Sequence, residues 1–545
     1  MSTLDPAQRT ITTPIVASST PLESFERTAA RVPEGVAMHY FERRITFAEL
    51  DALSNAAAAA LRDAGCAAGD RVAFFLQNDP DFAIAQLAVW KIGAVCVSIN
   101  PMLRNKELAH ILRDSGASAL VTLRDLWLDV ASEAVAGTAV RIALLTDPSD
   151  WTRRYPTPDS DTFPSVGKVS VGLFRDLLSA GNTSTFEGYS GTLDDVAMLC
   201  YTSGTSGRPK GVASTHANIA HSAAAYEQWM DIGDDDVFLA SAPIFHVTGL
   251  IAGLALTYRS GMPMVLFHRF HPEVCLEQIE THRPTFTIMA TTAYQALVQE
   301  PSAANRDLTS LTKVYSGGAP VTATIDRQWR ELTGSGIRNV YGLTETTGPT
   351  HAIPLDIDGP LDPDSGAMAV GLPLPGVEAR LVDDSTGHDV EVGSQGELWI
   401  KGPMVMSGYW QLPEATSEAF VEDYFRTGDV AKQDEAGYYY VIDRLKDMIN
   451  AAGYKVWPRE VEDYLLQHRE IREAAVVGIP DEYRGESVKA FVVLQDGSDL
   501  TPESIIAFAK SQMAAYKYPR LVEIVQALPK TTTGKVLRRE LRSSS

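Results

Sequence analysis

Short apolar runs alternate with longer Ala- and Leu-bearing segments across residues 20–350 of the chain. The runs are rich in β-branched and aromatic residues, as in RVAFFLQN (71–78), AVCVSINP (94–101) and FTIMATT (286–292). Runs of this kind are typical of buried strands, and the segments between them are compatible with helices. The alternation therefore predicts layered α/β structure over this part of the chain.

The pattern changes twice towards the C-terminus. From about 365 to 442, Gly- and Pro-bearing turns separate short strand-like runs, which predicts a compact β-rich portion. From 444 onwards two helical segments flank two strand-like runs, which predicts a further α+β unit. We therefore expect a mixed α/β protein with a large N-terminal domain (1–443) of layered α/β subdomains and a small C-terminal domain (444–545).

The stretch YTSGTSGRPKGV (201–212) combines Ser, Thr, Gly and Pro with a lysine. This composition is typical of a surface loop or a flexible linker. Its flanks favour a different interpretation, because VAMLCYT (196–202) predicts a buried strand and HANIAHSAAAYEQWM (216–230) predicts a helix. A strand, a Gly-rich loop and a helix form an anion cradle, in which backbone N–H groups, hydroxyls and Lys210 would hold phosphate. The stretch does not fit G-x-x-x-x-G-K-[ST], so the cradle would not be a Walker loop, and a linker stays the alternative.

Composition limits the class of protein. The chain has 545 residues, 45% of them apolar and 21% charged, as in a soluble globular protein with more than one domain. Its formal net charge of −22 argues against a general nucleic-acid binder. The four cysteines show no C-x-x-C spacing, and the N-terminus lacks a signal-peptide pattern. Gln86 and Lys91 interrupt the most apolar stretch (82–97), so we expect a cytoplasmic protein with no membrane span.

The charge is unevenly distributed along the chain. Residues 444–545 carry 16 basic and 14 acidic side chains, whereas the remainder has a net charge of −24. Chance variation in surface charge would account for this difference. The functional alternative is that the small domain brings cations to an anionic ligand held by the larger domain.

Several familiar catalytic patterns do not occur in the sequence. The eleven histidines include no H-E-x-x-H or other zinc spacing, and His268 and His271 lack a third ligand.

Five stretches carry other chemistry: a glycine pair suited to a flat ring, a Thr and Glu suited to phosphate and its metal ion, a carboxylate suited to vicinal hydroxyls, and two segments with conspicuous lysines. In that order they are YSGGAP (315–320), NVYGLTETTG (339–348), YFRTGDV (424–430), DRLKDMINAAGYKVWPREVE (443–462) and PKTTTGKVLRREL (529–541).

Together, and in this order, these stretches resemble the adenylate-forming superfamily of acyl-CoA synthetases, peptide-synthetase adenylation domains and beetle luciferases. The resemblance extends from FERTAARVP (25–33) to PKTTTGKVLRREL, and so covers nearly the whole chain. It implies that a carboxylic acid attacks ATP to give acyl-AMP and pyrophosphate, and that the thiol of CoA then gives acyl-CoA and AMP. The loop at 201–212 would be the loop that holds the pyrophosphate of ATP.

The resemblance also implies a role for each matching residue in nucleotide binding. The β- and γ-phosphates would be held by Thr202, Ser203, Gly204, Thr205, Ser206, Gly207 and Lys210. The adenine would be flanked by Gly317, Gly318, Ala319, Asn339 and Tyr341, with Gly342 beside them. Thr344 would bond the α-phosphate, Glu345 would hold Mg²⁺, and Asp429 and Arg444 would hold the ribose.

The C-terminal domain is implied to be mobile about a hinge at Lys446. Lys535 would be the catalytic lysine of adenylation, where two anions about 4 Å apart repel by roughly 4 kcal/mol at an effective dielectric of 20. Gly453 would lie on the loop that lines the pantetheine tunnel of CoA in the second half-reaction. Because Lys535 occupies the face that CoA needs, the domain would have to move between the two steps.

The acyl pocket is implied to include the stretch APIFHVTGL (242–250), with His246 as a gate near the substrate carboxylate; a satisfied core histidine is the alternative. The pocket residues would be His246, Val247, Gly249, Gly317 and Gly342. In acetyl-specific relatives a tryptophan fills the position of Gly342, so a glycine there favours a bulkier apolar acid. Medium- or long-chain fatty acids and aryl acids both stay open.

The preferred function is therefore an ATP-dependent acid–CoA ligase whose small-molecule partners are a carboxylic acid, ATP and CoA, with no tightly bound organic cofactor. The nearest alternative is an acyl-AMP ligase that loads a carrier protein, and a luciferase-type oxygenase is a third. A non-catalytic nucleotide-binding regulator is disfavoured, because Lys210, Glu345, Asp429 and Lys535 are all present. The oligomeric state is left open, with a homodimer as one option.

Overall fold

The computed structural model describes residues 15, 18–158, 160–164, 166–180, 186–189, 191–202, 208–318, 321, 323–363, 367–451, 454–481, 485–530 and 536–543. The strands up to residue 352 are β1 Val36–Tyr40, β2 Arg43–Thr46, β3 Arg71–Phe75, β4 Val95–Ser98, β5 Ala119–Leu123, β6 Ile142–Thr146, β7 Ser170–Leu173, β8 Val196–Tyr201, β9 Gly211–Thr215, β10 Phe238–Leu239, β11 Met264–Leu266, β12 Phe286–Met289, β13 Lys313–Ser316, β14 Arg338–Leu343 and β15 Gly348–Ala352. The later strands are β16 Leu372–Pro373, β17 Glu378–Val382, β18 Gln395–Lys401, β19 Gly408–Tyr409, β20 Phe420–Val421, β21 Tyr424–Gln433, β22 Tyr439–Arg444, β23 Ile449–Ala451, β24 Tyr454–Val456, β25 Ile471–Asp481, β26 Gly485–Leu494 and β27 Leu521–Ile524.

The helices are α1 Pro21–Arg31, α2 Phe47–Asp63, α3 Pro80–Lys91, α4 Asn105–Ser115, α5 Arg124–Leu126, α6 Ser132–Ala134, α7 Phe174–Ala180, α8 His216–Trp229, α9 Leu256–Ser260, α10 Pro272–His282, α11 Thr291–Gln299, α12 Ala323–Thr333, α13 Pro413–Ala419, α14 Pro458–Leu465, α15 Pro502–Gln512 and α16 Arg538–Ser543. A π-helical segment, Gly249–Ala255, leads into α9, and 3-10 turns occupy Thr344–Thr346 and Leu445–Asp447.

Two large sheets dominate the N-terminal part of the chain. One has the strand order β19-β9-β8-β4-β3-β5-β6-β7, and the other has the order β16-β15-β14-β13-β12-β10-β11-β1-β2. Pairing is parallel in the middle of both sheets and antiparallel at β9 and β15, where the chain folds back. The expected layered α/β structure is confirmed, because helices connect the parallel strands.

Helices α3 and α8 are largely buried. Every residue of α3 is buried, because apolar residues dominate its sequence and buried Lys91 is bonded to Asp51, Ser54 and Asn55 of α2. Ala-rich α8 contributes Ile219, Ala223 and Tyr226 to a hydrophobic core that also contains Met198 of one sheet and Ile288 of the other. The stretch 82–97 is a buried helix followed by strand β4, as its pattern predicts, and no helix in the described residues is long and apolar enough to span a membrane.

The loop after β8 differs from its expected arrangement in one respect. We expected a strand, a loop and then a helix, but the chain returns as strand β9 before α8 begins at His216. Strands β8 and β9 pair antiparallel with Tyr201 opposite Gly211. The N-terminus of α8 therefore does not face the loop, and its dipole contributes no positive end to the proposed cradle.

A third sheet covers most of the β-rich portion expected at 365–442. It has the order β17-β18-β21-β20, with β22 paired to β21. Two short strands of the same portion join the large sheets instead, since β16 pairs with β15 and β19 pairs with β9. This portion therefore connects the two large sheets as well as forming a sheet of its own.

The C-terminal part forms a fourth sheet, of order β24-β23-β26-β25, with β27 paired to β26 and with α14, α15 and α16. The chain leaves the third sheet at Arg444, passes through the 3-10 turn Leu445–Asp447 and enters the fourth sheet at Ile449. A separate core of residues such as Val461, Val476 and Val492 fills this unit. A large N-terminal domain and a smaller C-terminal one are confirmed.

All four cysteines are buried and unpaired. Burial raises the pKa of the Cys200 thiol to about 12, and it also raises the pKa of Cys66, Cys96 and Cys275. A thiol with a raised pKa carries little thiolate at neutral pH, so these side chains are unreactive in the folded protein.

Candidate active site

Strand β14 places Asn339 and Tyr341 on the same face, because side chains two apart on a strand point the same way. The Nδ2 of buried Asn339 donates to the carbonyl oxygens of Met368 (3.4 Å) and Ala369 (3.0 Å). Its Oδ1 is buried but has no hydrogen-bond partner within the described part of the chain. A buried, unpaired acceptor costs stability, and the exocyclic amino group of an adenine would satisfy it.

Asp429 and Arg444 lie opposite each other on β21 and β22. The Nε of Arg444 is 2.6 Å from Oδ1 of Asp429, and the hydroxyl of Tyr341 donates to Oδ2 at 2.6 Å. Burial and the Asp429 carboxylate raise the pKa of Tyr341, so its hydroxyl stays protonated and acts as a donor. Burial lowers the pKa of Arg444, but Asp429 and other neighbouring anions outweigh it and raise the pKa overall. Asp429 and Arg444, the two residues predicted to bind the ribose, are thus held in a fixed geometry beside Tyr341 of β14.

The 3-10 turn after β14 carries Thr344 and Glu345. The hydroxyl of Thr344 makes no hydrogen bond with any described residue, and its carbonyl accepts from the N–H of Thr347 at 3.0 Å. The Oε1 of Glu345 accepts from the hydroxyl of Tyr409 at 3.0 Å, whereas Oε2 accepts from no described residue. Burial and the Glu345 carboxylate raise the pKa of Tyr409, so this hydroxyl is also a donor. Two neighbouring residues of the turn therefore each carry an oxygen without a described hydrogen-bond partner, namely the Thr344 hydroxyl and Oε2 of Glu345.

The neck of the phosphate loop is closed by the N–H of Thr202, which donates to the carbonyl of Lys210 at 3.1 Å. The Nζ of Lys210 lies 4.6 Å from the centre of the Tyr409 ring. No carboxylate of the described residues is within ion-pair distance of this ammonium. Lys210, Tyr409 and Glu345 thus form a line of contacts from the loop to the turn, and the cation at one end is left for an anionic ligand.

Helix α4 supports the base of the same loop. The hydroxyl of Tyr201 donates to Oδ2 of Asp114 at 2.6 Å, and Nε2 of His110 lies 3.4 Å from the carbonyl oxygen of Pro209. Both ends of the loop are therefore tied to the same helix.

His246 follows a loop that two other side chains hold in place. The Oδ1 of Asn78 accepts from the N–H of Ile244 at 2.9 Å, and the hydroxyl of Ser98 donates to the carbonyl of Phe245 at 2.6 Å. Burial lowers the pKa of His246 to about 4, so the imidazole is neutral at physiological pH. Its Nδ1 accepts a long bond (3.4 Å) from the N–H of Thr248, which leaves the proton on Nε2. The neighbouring Val247 is buried.

Two glycines assigned to the acyl pocket have no room for a side chain. A Cβ atom on Gly342 would lie 1.9 Å from the carbonyl oxygen of Gly348, and one on Gly249 would lie 2.3 Å from the carbonyl oxygen of Pro243. Gly342 therefore faces the backbone of β15, and its size allows two strands to pair closely. By contrast, a Cβ atom on Gly317 would meet its nearest neighbours at 3.4 Å, an ordinary contact, and Gly318 has open space with φ of +81°.

Eight residues of the predicted site lie outside the described part of the chain. They are Ser203, Gly204, Thr205, Ser206, Gly207, Ala319, Gly453 and Lys535. Their assignments stay predictions from the sequence. Lys446 lies in the turn Leu445–Asp447, where burial and the charge of Arg444 lower its pKa.

Ion pairs link α16 to the same turn. Arg538 lies 2.8 Å from Glu462 and 3.6 Å from Asp447, and Arg542 lies 2.9 Å from Asp447. The backbone N–H of Arg459 donates to Asp443 at 2.9 Å. Helix α16 is therefore anchored to Asp447, the residue that follows Lys446.

Comparison with known proteins settles the family. The model of the AMP-binding enzyme family matches residues 25–410, and the model of the AMP-binding enzyme C-terminal domain matches residues 460–535. The chain belongs to the AMP-binding enzymes. Both matches lie in the order expected from the motifs.

Among its relatives is the long-chain-fatty-acid–CoA ligase of Bacillus subtilis, which is 36% identical over 94% of this chain and 92% of that protein. The feruloyl-CoA synthase of an Amycolatopsis species is 35% identical over 95% of this chain and 97% of that protein. Among solved structures, a benzoate CoA ligase from Burkholderia xenovorans superposes with a TM-score of 0.82 at 26% identity, over 96% of this chain and all of that one. The relatives of this chain thus include proteins named as CoA ligases for both fatty and aryl acids.

Sequence reasoning missed Tyr409, Asn78 and Ser98. Tyr409 lies in the stretch SGYW (407–410), which contains no pattern of acid, base or metal ligands. Asn78 and Ser98 each end or follow a buried strand, and a polar residue at that position is the signal that could have drawn attention to them.

Proposed function

We propose that this AMP-binding enzyme is an ATP-dependent acid–CoA ligase. The observation that carries the proposal is a set of polar groups near β14 that have no hydrogen-bond or ion-pair partner among the described residues. The Lys210 ammonium lacks a described counter-ion, the Thr344 hydroxyl lacks a described partner, and buried Oδ1 of Asn339 lacks a donor. ATP would supply the phosphates and the adenine amino group that these three groups require.

In the first half-reaction a substrate carboxylate oxygen attacks the α-phosphorus of ATP. A new C–O–P linkage forms, the bond to pyrophosphate breaks, and the products are acyl-AMP and pyrophosphate. Lys210 and Thr344 would stabilise the charge that develops on the phosphates, while Asp429 and Arg444 would fix the ribose. Neutral His246 would stand near the substrate carboxylate without adding a charge.

The site also fits a magnesium ion. Oε2 of Glu345 is a hard oxygen ligand with no described hydrogen-bond partner, and the described residues contain no group of three His, Cys, Asp or Glu side chains able to hold a metal. Mg²⁺ commonly binds through one or two carboxylates together with substrate phosphates. Glu345 would therefore hold the ion jointly with ATP, and the ion would neutralise part of the triphosphate charge.

In the second half-reaction the sulfur of CoA attacks the acyl carbon of acyl-AMP, and AMP leaves as the C–O bond breaks. Lys535 and Gly453 would serve the two steps in turn, as the C-terminal domain rotates about Lys446. The change of sheet between Arg444 and Ile449 supports a domain boundary at 443/444 and a hinge at this place. A hinge at a short turn between two sheets concentrates the backbone change in a few residues.

The proposed substrate is a medium- or long-chain fatty acid or an aryl acid. The relatives named for long-chain fatty acids, ferulate and benzoate support this range. Four unpaired buried cysteines support action in the reducing cytoplasm, and a homodimer is one option for the assembly.

The test is pyrophosphate release from ATP across a panel of fatty and aryl acids, with and without CoA, followed by mass spectrometry of the products. We expect acid-dependent pyrophosphate release and an acyl-CoA thioester when CoA is present. Acyl-AMP that accumulates with CoA but is transferred to a carrier protein would instead establish the carrier-loading alternative. If none of the acids in the panel causes pyrophosphate release, the proposed function is contradicted.

A further inference from the structure

Tyr409 contacts both the lysine of the phosphate loop and the carboxylate proposed to hold Mg²⁺. Its hydroxyl donates to Oε1 of Glu345 at 3.0 Å, and the face of its ring lies 4.6 Å from the Nζ of Lys210. The two contacts use different parts of one side chain. Lys210 directly precedes strand β9 of one large sheet, and Glu345 lies in the turn that follows β14 of the other large sheet.

The backbone around Tyr409 is held firmly. Its N–H donates to Oγ1 of Thr416 at 2.9 Å, and its carbonyl accepts from the N–H of Leu412 at 3.1 Å. Gly408, with φ of +149°, allows this approach, because a Cβ atom there would lie 2.8 Å from the Thr416 side chain. The Tyr409 side chain therefore projects from a backbone that pairs with β9 and does not depend on the site for its position.

Glu345 is attached to the same short segment twice. Besides the Tyr409 contact, its backbone carbonyl accepts from the N–H of Met406 at 2.8 Å. Because Oε1 is engaged by a hydroxyl, the orientation of the carboxylate is set and Oε2 is the oxygen that is left available. A carboxylate held in this way loses less freedom when it binds a metal ion.

We propose that Tyr409 is a positioning residue that couples the two halves of the triphosphate site, its ring holding the Lys210 ammonium and its hydroxyl orienting Glu345. The inference rests on the proposed function, because it takes the ligand to be ATP with a divalent cation. Tyr409 itself would contact neither the ATP nor the cation. The ring contact acts on phosphate affinity with or without metal, whereas the hydroxyl contact acts only on metal affinity.

Two substitutions separate these contacts. Tyr409→Phe removes the hydroxyl and keeps the ring, and Tyr409→Leu removes both. Tyr440→Phe is the matched control, because buried Tyr440 also donates its hydroxyl to a carboxylate, Oδ2 of Asp434 at 2.8 Å, away from Lys210 and Glu345. The full-length protein is used throughout, and thermal unfolding verifies that each variant is folded.

Two binding measurements give the readout. Mn²⁺ affinity is measured by electron paramagnetic resonance in the presence of α,β-methylene-ATP, and ATP affinity is measured by calorimetry in EDTA. For Tyr409→Phe we expect Mn²⁺ affinity to fall about tenfold, the scale of one hydrogen bond to a charged group, with metal-free ATP affinity unchanged. For Tyr409→Leu we expect metal-free ATP affinity to fall as well, by about threefold, the scale of an exposed cation–π contact.

Wild-type Mn²⁺ affinity in Tyr409→Phe would overturn the role of the hydroxyl, and wild-type ATP affinity in Tyr409→Leu would overturn the role of the ring. Equal losses in Tyr440→Phe would show a general loss of packing and would also overturn the proposal. These outcomes are distinct from failure of the proposed function. That function fails when the wild-type protein shows no acid-dependent pyrophosphate release, whatever the variants bind.

Discussion

Asp429 and Arg444 face each other across two paired strands, with Oδ1 and Nε 2.6 Å apart, and the pair is completed by the Tyr341 hydroxyl. The carboxylate is almost fully buried, at 3% exposure, so its negative charge depends on these two partners. The same carboxylate is the group proposed to accept from the ribose hydroxyls. If Asp429 binds the ribose as proposed, the same side chain would serve both the fold and the ligand.

Asp429→Asn is expected to raise the KM for ATP by about tenfold or more, because hydrogen bonds to a charged group exceed those to a neutral one by about that factor. The measurement is pyrophosphate release at varied ATP concentration. Asp307→Asn, which neutralises one member of an exposed ion pair with Arg283, is the control and should leave the KM unchanged. An unchanged KM in Asp429→Asn would remove this carboxylate from the ribose site.

Asn339→Ala should weaken the binding of ATP while it leaves the binding of purine riboside triphosphate, which lacks the 6-amino group, nearly unchanged. The reason is that buried Oδ1 of Asn339 has an unfilled acceptor position and discriminates in favour of a donor. Equilibrium binding of both nucleotides measures the effect, with a loss of about tenfold expected for ATP. Asn218→Ala is the control, since Nδ2 of buried Asn218 donates to the carbonyls of Pro403 and Val405 and its Oδ1 accepts from the N–H of Thr215. Equal loss for both nucleotides would contradict the assignment.

Gly342→Ala is expected to destabilise the protein and weaken nucleotide binding rather than change the preferred acid. Its Cβ atom would collide with the carbonyl of Gly348 at 1.9 Å and separate β14 from β15. Thermal unfolding and ATP binding measure the effect, and Gly317→Ala should be tolerated because its nearest contacts are at 3.4 Å. If Gly342→Ala keeps its Tm and gains activity on short acids, Gly342 lines the acyl pocket, as the family resemblance implies.

Lys535→Ala and Gly453→Leu should impair opposite half-reactions. Lys535→Ala is expected to slow acyl-AMP formation by about 10²- to 10³-fold and to spare the attack of CoA on supplied acyl-AMP. Gly453→Leu should obstruct the pantetheine path and spare adenylation. Single-turnover kinetics of each half-reaction distinguish the two, and equal losses in both steps for both variants would exclude domain alternation.

The fold should lose stability as the pH falls, and buried His351 should account for part of the loss. Burial lowers the pKa of His351 from 6.5 to about 3, so between these values the unfolded chain binds a proton that the folded protein does not. For such a group the free energy of unfolding falls by about 1.4 kcal/mol for each unit by which the pH decreases within this range. Above pH 6.5 the group makes no pH-dependent contribution to stability. Thermal unfolding of His351→Gln at pH 7.5 and 5.0 should show a smaller acid-induced decrease in Tm than the wild type. The exposed His388→Gln is the control, and an undiminished decrease in His351→Gln would contradict the prediction.

The sequence motifs predict roles for residues within single stretches, whereas the contacts that the structure shows between distant segments could not be predicted from them. Roles for Asn339, Glu345 and Asp429 follow from the resemblance of short motifs to a known family, and these roles stay predictions. The contacts of Asp429 with Arg444 and Tyr341 could not be predicted from its own motif, because both partners lie on other strands. Strand β9 was missed because GVAST (211–215) is short and its partner is the preceding strand, so the hairpin shows no alternating pattern of its own. The close contact of Gly342 with Gly348 results from the pairing of β14 with β15. The sequence alone does not predict this contact, because a glycine is equally compatible with an open pocket and with a close backbone contact.

The four buried, unreactive thiols make the protein convenient for spectroscopic work on its domains. A cysteine introduced at exposed Glu391 of the large domain and another at exposed Glu503 of the small one would react with maleimide dyes far faster than any native thiol. The native cysteines could therefore stay in place while both dyes are attached. Energy transfer between the dyes would then test in single molecules whether one domain rotates against the other, as acid, ATP and CoA are added in turn.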